Sequence, residues 1–163
     1  MNLNTSIQGT IFVEGDVQKP GDRHITICAR VEIDPQDWGG VGLYIEQTEW
    51  DVTNFNSDYP QGSKEPDRWA TIWTKAVEPQ GFEKWITIGR SDNPPDTSGG
   101  GVGTIVIELS PVSGIETLPE TLEVTISIGS KDGYILHQVG EDVSVPINVD
   151  YQGSSSVRNR ISE

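Results

Sequence analysis

Residues 24–33 have the sequence HITICARVEI, in which apolar and polar residues alternate without a break. One face of this stretch would hold Ile25, Ile27, Ala29, Val31 and Ile33. Side chains alternate between the two sides of a β-strand, whereas a helical face repeats about every 3.6 residues. The stretch therefore predicts a β-strand that buries one face and exposes the other.

The same alternation recurs along the rest of the chain. Further strands are predicted near residues 7–13, 40–46, 50–56, 68–76, 84–89, 102–109, 121–129 and 142–149. Turn clusters separate them, and the chain contains 18 Gly and 10 Pro in 163 residues. Nine short strands without a convincing helix predict an all-β, single-domain, nine-stranded β-sandwich with jelly-roll or immunoglobulin-like Greek-key connections.

The alternation also predicts the core. A shift of one residue in the register would turn the whole apolar set of a strand towards solvent. We therefore expect the buried residues to include Ile25, Ile27, Val31, Val41, Leu43, Ile45, Ile105, Ile107, Leu109, Val124, Ile126, Ile128, Val145 and Ile147.

The length suits one domain, because single cores usually comprise about 100–150 residues. The alternation stops near residue 150, and the last residues, QGSSSVRNRISE, are rich in Ser, Gly and Arg. We predict a β-sandwich binding module over 1–150 and a flexible C-terminal tail or linker over 151–163.

The charge excludes two classes of partner. There are 11 Lys and Arg against 25 Asp and Glu, which gives a net charge of -14. Such a chain repels the backbone of nucleic acids and anionic membrane surfaces. No apolar run approaches the roughly 20 residues of a spanning helix, so we expect no membrane insertion. The N-terminal residues contain no secretory signal.

Catalytic motifs are missing from the sequence. The only histidines are His24 and His137, and neither lies in a nucleophile-elbow, metalloprotease or other catalytic pattern. The single cysteine, Cys28, shares an outward face with Thr26 and Arg30, but no base accompanies it. One cysteine also excludes an intrachain disulfide and leaves the redox compartment open. We therefore expect a protein that is not an enzyme.

Acidic residues cluster in several turns, where carboxylate and carbonyl oxygens could hold calcium. The clusters contain Asp34 and Asp37, then Asp92 and Asp96, and finally Asp132 with Glu141 and Asp142. None matches the calcium-binding loop of EF-hands. We expect these turns to be solvated and the protein to need no cofactor, with calcium as the alternative.

The aromatic residues suggest a binding surface. If Ala70, Ile72, Ile86 and Ile88 face the core, the tryptophans between them face outwards. Exposed aromatic rings stack on sugars or anchor protein interfaces. The candidate ligand-binding residues are therefore Trp69, Trp73 and Trp85, joined by Trp38 and Tyr44 from the neighbouring hairpin.

The opposite register is the alternative, and it would bury Trp69 and Trp73 and expose Ile72. The segment 90–103, RSDNPPDTSGGGVG, is long for a hairpin connection and would lie beside these tryptophans. Its glycines would allow a ligand to approach the backbone, unless it is only a crossover between the sheets. We predict that at least one of Trp69, Trp73 and Trp85 is exposed beside this segment.

Three stretches resemble the β-sandwiches of cohesins and carbohydrate-binding modules from secreted and surface proteins. These are KPGDRHITICARVEI (19–33), GGVGLYIEQTEWDVTNF (39–55) and GVGTIVIELSPVSGIETLPETLEVTISIGSKDGYI (101–135). The resemblance spans most of residues 7–149, but residues 68–101 depart from it by their tryptophans and longer Gly-rich loop. No binding residue is transferred from these families.

The resemblance implies a cohesin-like topology and a noncatalytic binding module of an extracellular or cell-surface protein. A cohesin would assemble with a protein partner such as a dockerin-like module. The first alternative is a carbohydrate-binding module that holds a polysaccharide on its exposed tryptophans. The second is a structural spacer or pilus-like domain, which would offer an open sheet edge.

Overall fold

The structure, a computed structural model, describes residues 3–74, 84–92, 95–129 and 139–158, without the side chains of Pro66, Trp73, Thr74, Asp92, Pro95 and Val139. These ranges contain twelve β-strands and no α-helix. In chain order the strands are β1 (Ser6–Glu14), β2 (His24–Ile33), β3 (Val41–Ile45), β4 (Trp50–Ser57), β5 (Ala70–Thr74), β6 (Lys84–Ile88), β7 (Arg90–Asp92), β8 (Pro95–Thr97), β9 (Gly101–Pro111), β10 (Thr121–Ile128), β11 (Val139–Pro146) and β12 (Tyr151–Arg158).

The strands form two large antiparallel sheets. The first sheet has the order β12-β1-β2-β9-β4, and the second has the order β11-β10-β3-β6-β5. Strands β7 and β8 form a separate hairpin. Short 3-10 turns at Pro20–Asp22 and Pro66–Trp69 precede β2 and β5. No helix in the described ranges is long and apolar enough to span a membrane.

One hydrophobic core joins the inner faces of the two sheets. It includes every core residue predicted from the alternation, from Ile25 and Ile27 in β2 to Val145 in β11 and Ile147 just beyond it. The prediction of an all-β fold is confirmed, and the arrangement of the sheets is that of a β-sandwich.

The predicted number of nine strands is wrong, because the described residues form twelve. The additional strands are β7, β8 and β12. Each of β7 and β8 has three residues, too few to show a period of two within a segment rich in Pro, Asp and Gly. The segment 90–103 is therefore not a plain loop: it contains this hairpin and the start of β9.

The tail predicted over 151–163 is also corrected, since residues Tyr151–Arg158 form the edge strand β12. This strand pairs with β1 over its whole length, from Val13↔Tyr151 to Ser6↔Arg158. Its central residues are Gly and Ser, so its sequence lacks the alternating apolar residues by which the other strands are recognised. Backbone hydrogen bonds with β1 hold β12 in the sheet, although its side chains lack the apolar alternation of the other strands.

Candidate functional site

Two of the predicted aromatic residues, Tyr44 and Trp85, stack on each other on the outer face of the second sheet. They are paired in register on β3 and β6, with ring centroids 5.4 Å apart and an interplanar angle of 23°. Parity places both side chains outwards, as predicted. Nevertheless Tyr44 is only 6% and Trp85 only 7% exposed, so the expected open platform at these positions is wrong.

The electrostatics of this pair fit a buried position. Burial raises the pKa of Tyr44 far above the ordinary tyrosine value, and the Arg90 cation opposes only part of that change. The phenol therefore stays neutral at physiological pH. A stacked, neutral and buried pair stabilises the sheet and offers little ring surface to a ligand.

Trp69 differs from its prediction as well. It ends the 3-10 turn Pro66–Trp69 instead of lying on a strand, and its ring belongs to the core. The guanidinium of Arg68 lies 4.5 Å from the centre of the Trp69 ring and forms an ion pair with Asp96 at 3.1 Å. Strand parity does not apply to Trp69, because β5 begins one residue later. Its indole is consequently buried and covered by a cation.

Trp73 lies on β5, and its backbone is the register partner of Trp85 on the adjacent strand β6. These two residues therefore occupy neighbouring strands of one sheet, while the side chain of Trp73 lies outside the described part. Ile72 pairs with Ile86 and so shares its inward side, yet Ile72 is 39% exposed. Strand β5 is the edge of the second sheet, where the core no longer covers an inward side chain.

Of the predicted aromatic residues whose side chains are described, Trp38 is the exposed one. Its accessible fraction is 41%. It lies in the turn between β2 and β3, and the buried carboxylate of Asp37 holds this turn. The carboxylate accepts hydrogen bonds from the backbone N–H groups of Gly39 and Gly40, both at 2.8 Å, and from the hydroxyl of Thr5 at 2.5 Å. Gly40 has a φ of 65°, which favours glycine. Trp38 is thus an exposed ring on a turn that the hydrogen bonds of Asp37 hold.

The segment before β9 is held against the sandwich. The phenol of Tyr59, which is fully buried, forms a hydrogen bond with the hydroxyl of Ser98. Burial raises the pKa of Tyr59. The ion pair of Arg68 with Asp96 ties the β7–β8 hairpin to the turn that precedes β5. These contacts make the segment part of the packed structure.

Carboxylates of the predicted acidic clusters accept hydrogen bonds from within the chain, and Glu141 and Asp142 lie on strand β11 instead of in a turn. Asp34 accepts hydrogen bonds from the backbone of Asn4 at 2.9 Å and of Gln36 at 2.8 Å, and Asp142 accepts one from the hydroxyl of Thr125 at 2.8 Å. Asp132 lies outside the described residues. Within the described part, no three His, Cys, Asp or Glu residues are grouped so that they could hold a metal ion.

The outer face of the first sheet forms a second surface, whose centre we call the Phe12 patch. It consists of Phe12 on β1, Thr26 and Cys28 on β2, and Val106 on β9, all half-buried. Phe12 pairs with Thr26, and Cys28 pairs with Val106, so the four side chains are neighbours on one face. Its rim is polar and contains Thr10, Asn54, Asn56 and Glu108.

A shallow groove of about 430 Å³, the arginine groove, adjoins the Phe12 patch across β12, β1 and β2. Its lining residues are Gln8, Gly9, Thr10, Arg30, Ser154, Ser155 and Ser156. At its end Arg158 donates a hydrogen bond of 2.9 Å from its guanidinium to the side-chain oxygen of Gln8. The Phe12 patch and the groove together form a continuous face that is accessible in this chain.

Among the residues that the structure describes, the remaining nucleophile candidates do not form a catalytic set. Cys28 is half-buried and lies in register between Thr10 and Val106, which have no basic group. His24 is exposed, 3.7 Å from a carboxylate oxygen of Glu14. His137 lies outside the described residues. The prediction that the protein is not an enzyme stays a prediction.

Comparison of the chain with protein-family models, with curated proteins and with solved structures finds no match. Phe12 was not among the aromatic residues predicted from the sequence, which were four tryptophans and Tyr44. Alternation within 7–13 would have identified it, since Ile11 and Val13 face the core and leave Phe12 facing outwards among polar residues.

Proposed function

We propose that this chain is a noncatalytic binding module that assembles with a partner protein through the Phe12 patch. The observation behind the proposal is a sheet face with a half-buried, partly apolar centre and a polar rim. Protein interfaces have this composition, with charged residues depleted from the centre. An aromatic residue near the centre of such a face is a typical energetic anchor.

The size of the face can be compared with that of a protein interface. Five strands spaced about 4.8 Å apart, each roughly 30 Å long, give a face of about 600 Å². A standard protein interface buries about 800 Å² on each partner. The outer face of the first sheet is therefore smaller than a standard interface, and a partner of standard size would also contact the surrounding loops.

The burial of the tryptophans weakens the polysaccharide alternative. A sugar platform needs several exposed rings at sugar spacing, and Trp69 and Trp85 are buried. Among the described side chains of the predicted set, only Trp38 still supports that alternative. We therefore rank assembly with a protein first, in the manner that the resemblance to cohesins implied, with a dockerin-like module on a cell surface or outside the cell as the partner type.

Site-specific photo-cross-linking tests this proposal. A photoreactive residue replaces Thr26 in the Phe12 patch or, as a matched control, Thr125 on the outer face of the second sheet; both threonines are half-buried. After irradiation on cells of the source organism, a protein adduct is expected from position 26 and not from position 125. Phe12→Glu should abolish the adduct, and binding is then measured with the purified partner.

The result that would contradict the proposal is equally specific. Equal adducts from both positions, or a position 26 adduct that survives Phe12→Glu, would show that the Phe12 patch is not the interface. Adducts with polysaccharide alone would favour the carbohydrate alternative. A thermal melt of each variant shows that the sandwich has folded.

A further inference from the structure

We propose that the arginine groove receives a carboxylate side chain from an acidic segment of the partner protein. This inference rests on the proposed function, because the groove shares Thr10 with the rim of the Phe12 patch. A partner that covers the patch therefore extends over the groove. The groove would then determine which partners bind, while the patch contributes most of the contact area.

The charge of the groove is opposite to that of the chain. The whole chain has a net charge of -14. Among the described residues at the groove, the guanidinium groups of Arg30 and Arg158 are accompanied by the carboxylate of Glu32, which pairs with Arg30. A local surplus of positive charge on an acidic protein attracts an acidic segment to this place, whereas the rest of the surface repels it.

The register brings the two arginines to the same residue. Gln8 on β1 pairs with Arg30 on β2 and with Ser156 on β12. Arg158, two residues beyond Ser156, reaches Gln8 with a hydrogen bond of 2.9 Å. Neighbouring strands lie about 4.8 Å apart, so the arginines flank Gln8 from both sides. Guanidinium groups bind carboxylates with paired, charge-assisted hydrogen bonds.

The ion pair between Arg30 and Glu32 leaves Arg30 able to bind a further carboxylate. Glu32 lies 3.6 Å from a terminal nitrogen of Arg30, and both side chains are 52% exposed. Exposed pairs of this kind contribute about 0–1 kcal/mol. A guanidinium has five N–H donors, so Arg30 has capacity for a second carboxylate.

Small hydroxyl residues give the groove its volume. Ser154 and Ser156 form its wall on β12, on the same side of the sheet as their register partners Thr10 and Gln8, whereas Ser155 pairs with Gly9 and shares the opposite side. The hydroxyls of Thr10 and Ser154 lie 3.4 Å apart. Larger side chains at Ser154 or Ser156 would fill the space of about 430 Å³. Hydroxyl groups also donate hydrogen bonds to a carboxylate. The groove therefore combines space, donors and positive charge.

A titration of the purified full chain tests this inference with hexaglutamate as the probe. Amide NMR signals of Gln8, Arg30 and Ser155 are expected to shift at low salt, and not with hexaglutamine. The double variant Arg30→Gln with Arg158→Gln should weaken binding by about tenfold or more, as expected for the loss of charge-assisted hydrogen bonds. The matched control, Lys19→Gln with Lys64→Gln, removes two exposed cations elsewhere and should change the affinity less than twofold.

The inference would be overturned if hexaglutamate left the amide signals of Gln8, Arg30 and Ser155 unchanged. It would also be overturned if hexaglutamate bound the double arginine variant as tightly as the unchanged protein. These outcomes are distinguishable from failure of the proposed function. If the inference alone is wrong, the double arginine variant still forms the photo-adduct from position 26. If the proposed function is wrong, that adduct is missing or insensitive to Phe12→Glu even when hexaglutamate binds.

Discussion

A hydrogen bond of 3.0 Å joins Nε of Arg23 to the backbone carbonyl of Ile147, although the two residues lie 124 positions apart in the chain. The same guanidinium donates to the carbonyl oxygens of Gly15 at 2.6 Å and Val149 at 2.7 Å, and to the carboxylate of Asp150 at 2.9 Å. Arg23 is only 2% exposed. It therefore fixes the point at which the chain crosses from β11 in the second sheet to β12 in the first.

Replacing this arginine should destabilise the protein strongly. Arg23→Met leaves the carbonyls of Gly15, Ile147 and Val149 without their donor, and we expect a loss of about 3–5 kcal/mol in the free energy of unfolding. Asp150 is 75% exposed, so Asp150→Asn should cost less than about 1 kcal/mol. Urea denaturation measures both values. Similar losses for the two variants would contradict the importance of the carbonyl contacts.

Ile72 and Ile86 are register partners and provide a matched pair for testing the edge of the second sheet. Ile86→Ala creates a cavity in the core and should lower the free energy of unfolding by about 2–5 kcal/mol. Ile72→Ala removes a side chain that is partly in solvent, and we expect a loss of about 1 kcal/mol or less. Chemical denaturation of the two variants gives the comparison, and a reversed order would show that β5 is covered in solution.

Tryptophan fluorescence should identify Trp38 as accessible. In a Trp73→Phe background, the remaining tryptophans are Trp38, Trp50, Trp69 and Trp85, and the last three are buried. Iodide is expected to quench only part of the emission, and adding Trp38→Phe should remove the quenchable part. If quenching persists without Trp38, at least one of the other three rings must be open to solvent.

The buried tyrosines predict a loss of stability at alkaline pH. Because the folded-state pKa of Tyr44 is raised above 10.0, the unfolded chain releases this proton first as the pH rises. The contribution of Tyr44 to the free energy of unfolding is therefore fully present below about pH 10. It decreases above that pH, by up to about 1.4 kcal/mol per pH unit. Tyr44→Phe should lose less stability between about pH 9 and pH 11 than the unchanged protein, as urea denaturation at each pH would show. An identical pH dependence would mean that Tyr44 ionises freely in the folded state.

Alternation in the sequence was sufficient to predict the inner faces of the long strands. Strands such as β2 and β10 bury one side only, so the placement of their isoleucines and valines follows directly from the period of two. The outward parity of Trp85 and Tyr44 followed in the same way. Parity gives the side of the sheet, but it does not show whether that side is covered, and both rings are buried.

The sequence by itself determined the all-β class, the core and the acidic surface, because these depend on local periodicity and on composition. The tertiary structure decided the rest, because it depends on neighbours distant in the chain. Ile72 is exposed since β5 lies at the edge of its sheet among the described strands, and Trp69 is buried since a tight turn precedes β5. Strand β12 forms because β1 offers it backbone partners, and only that pairing brings Arg158 to Gln8 and creates the groove beside Arg30.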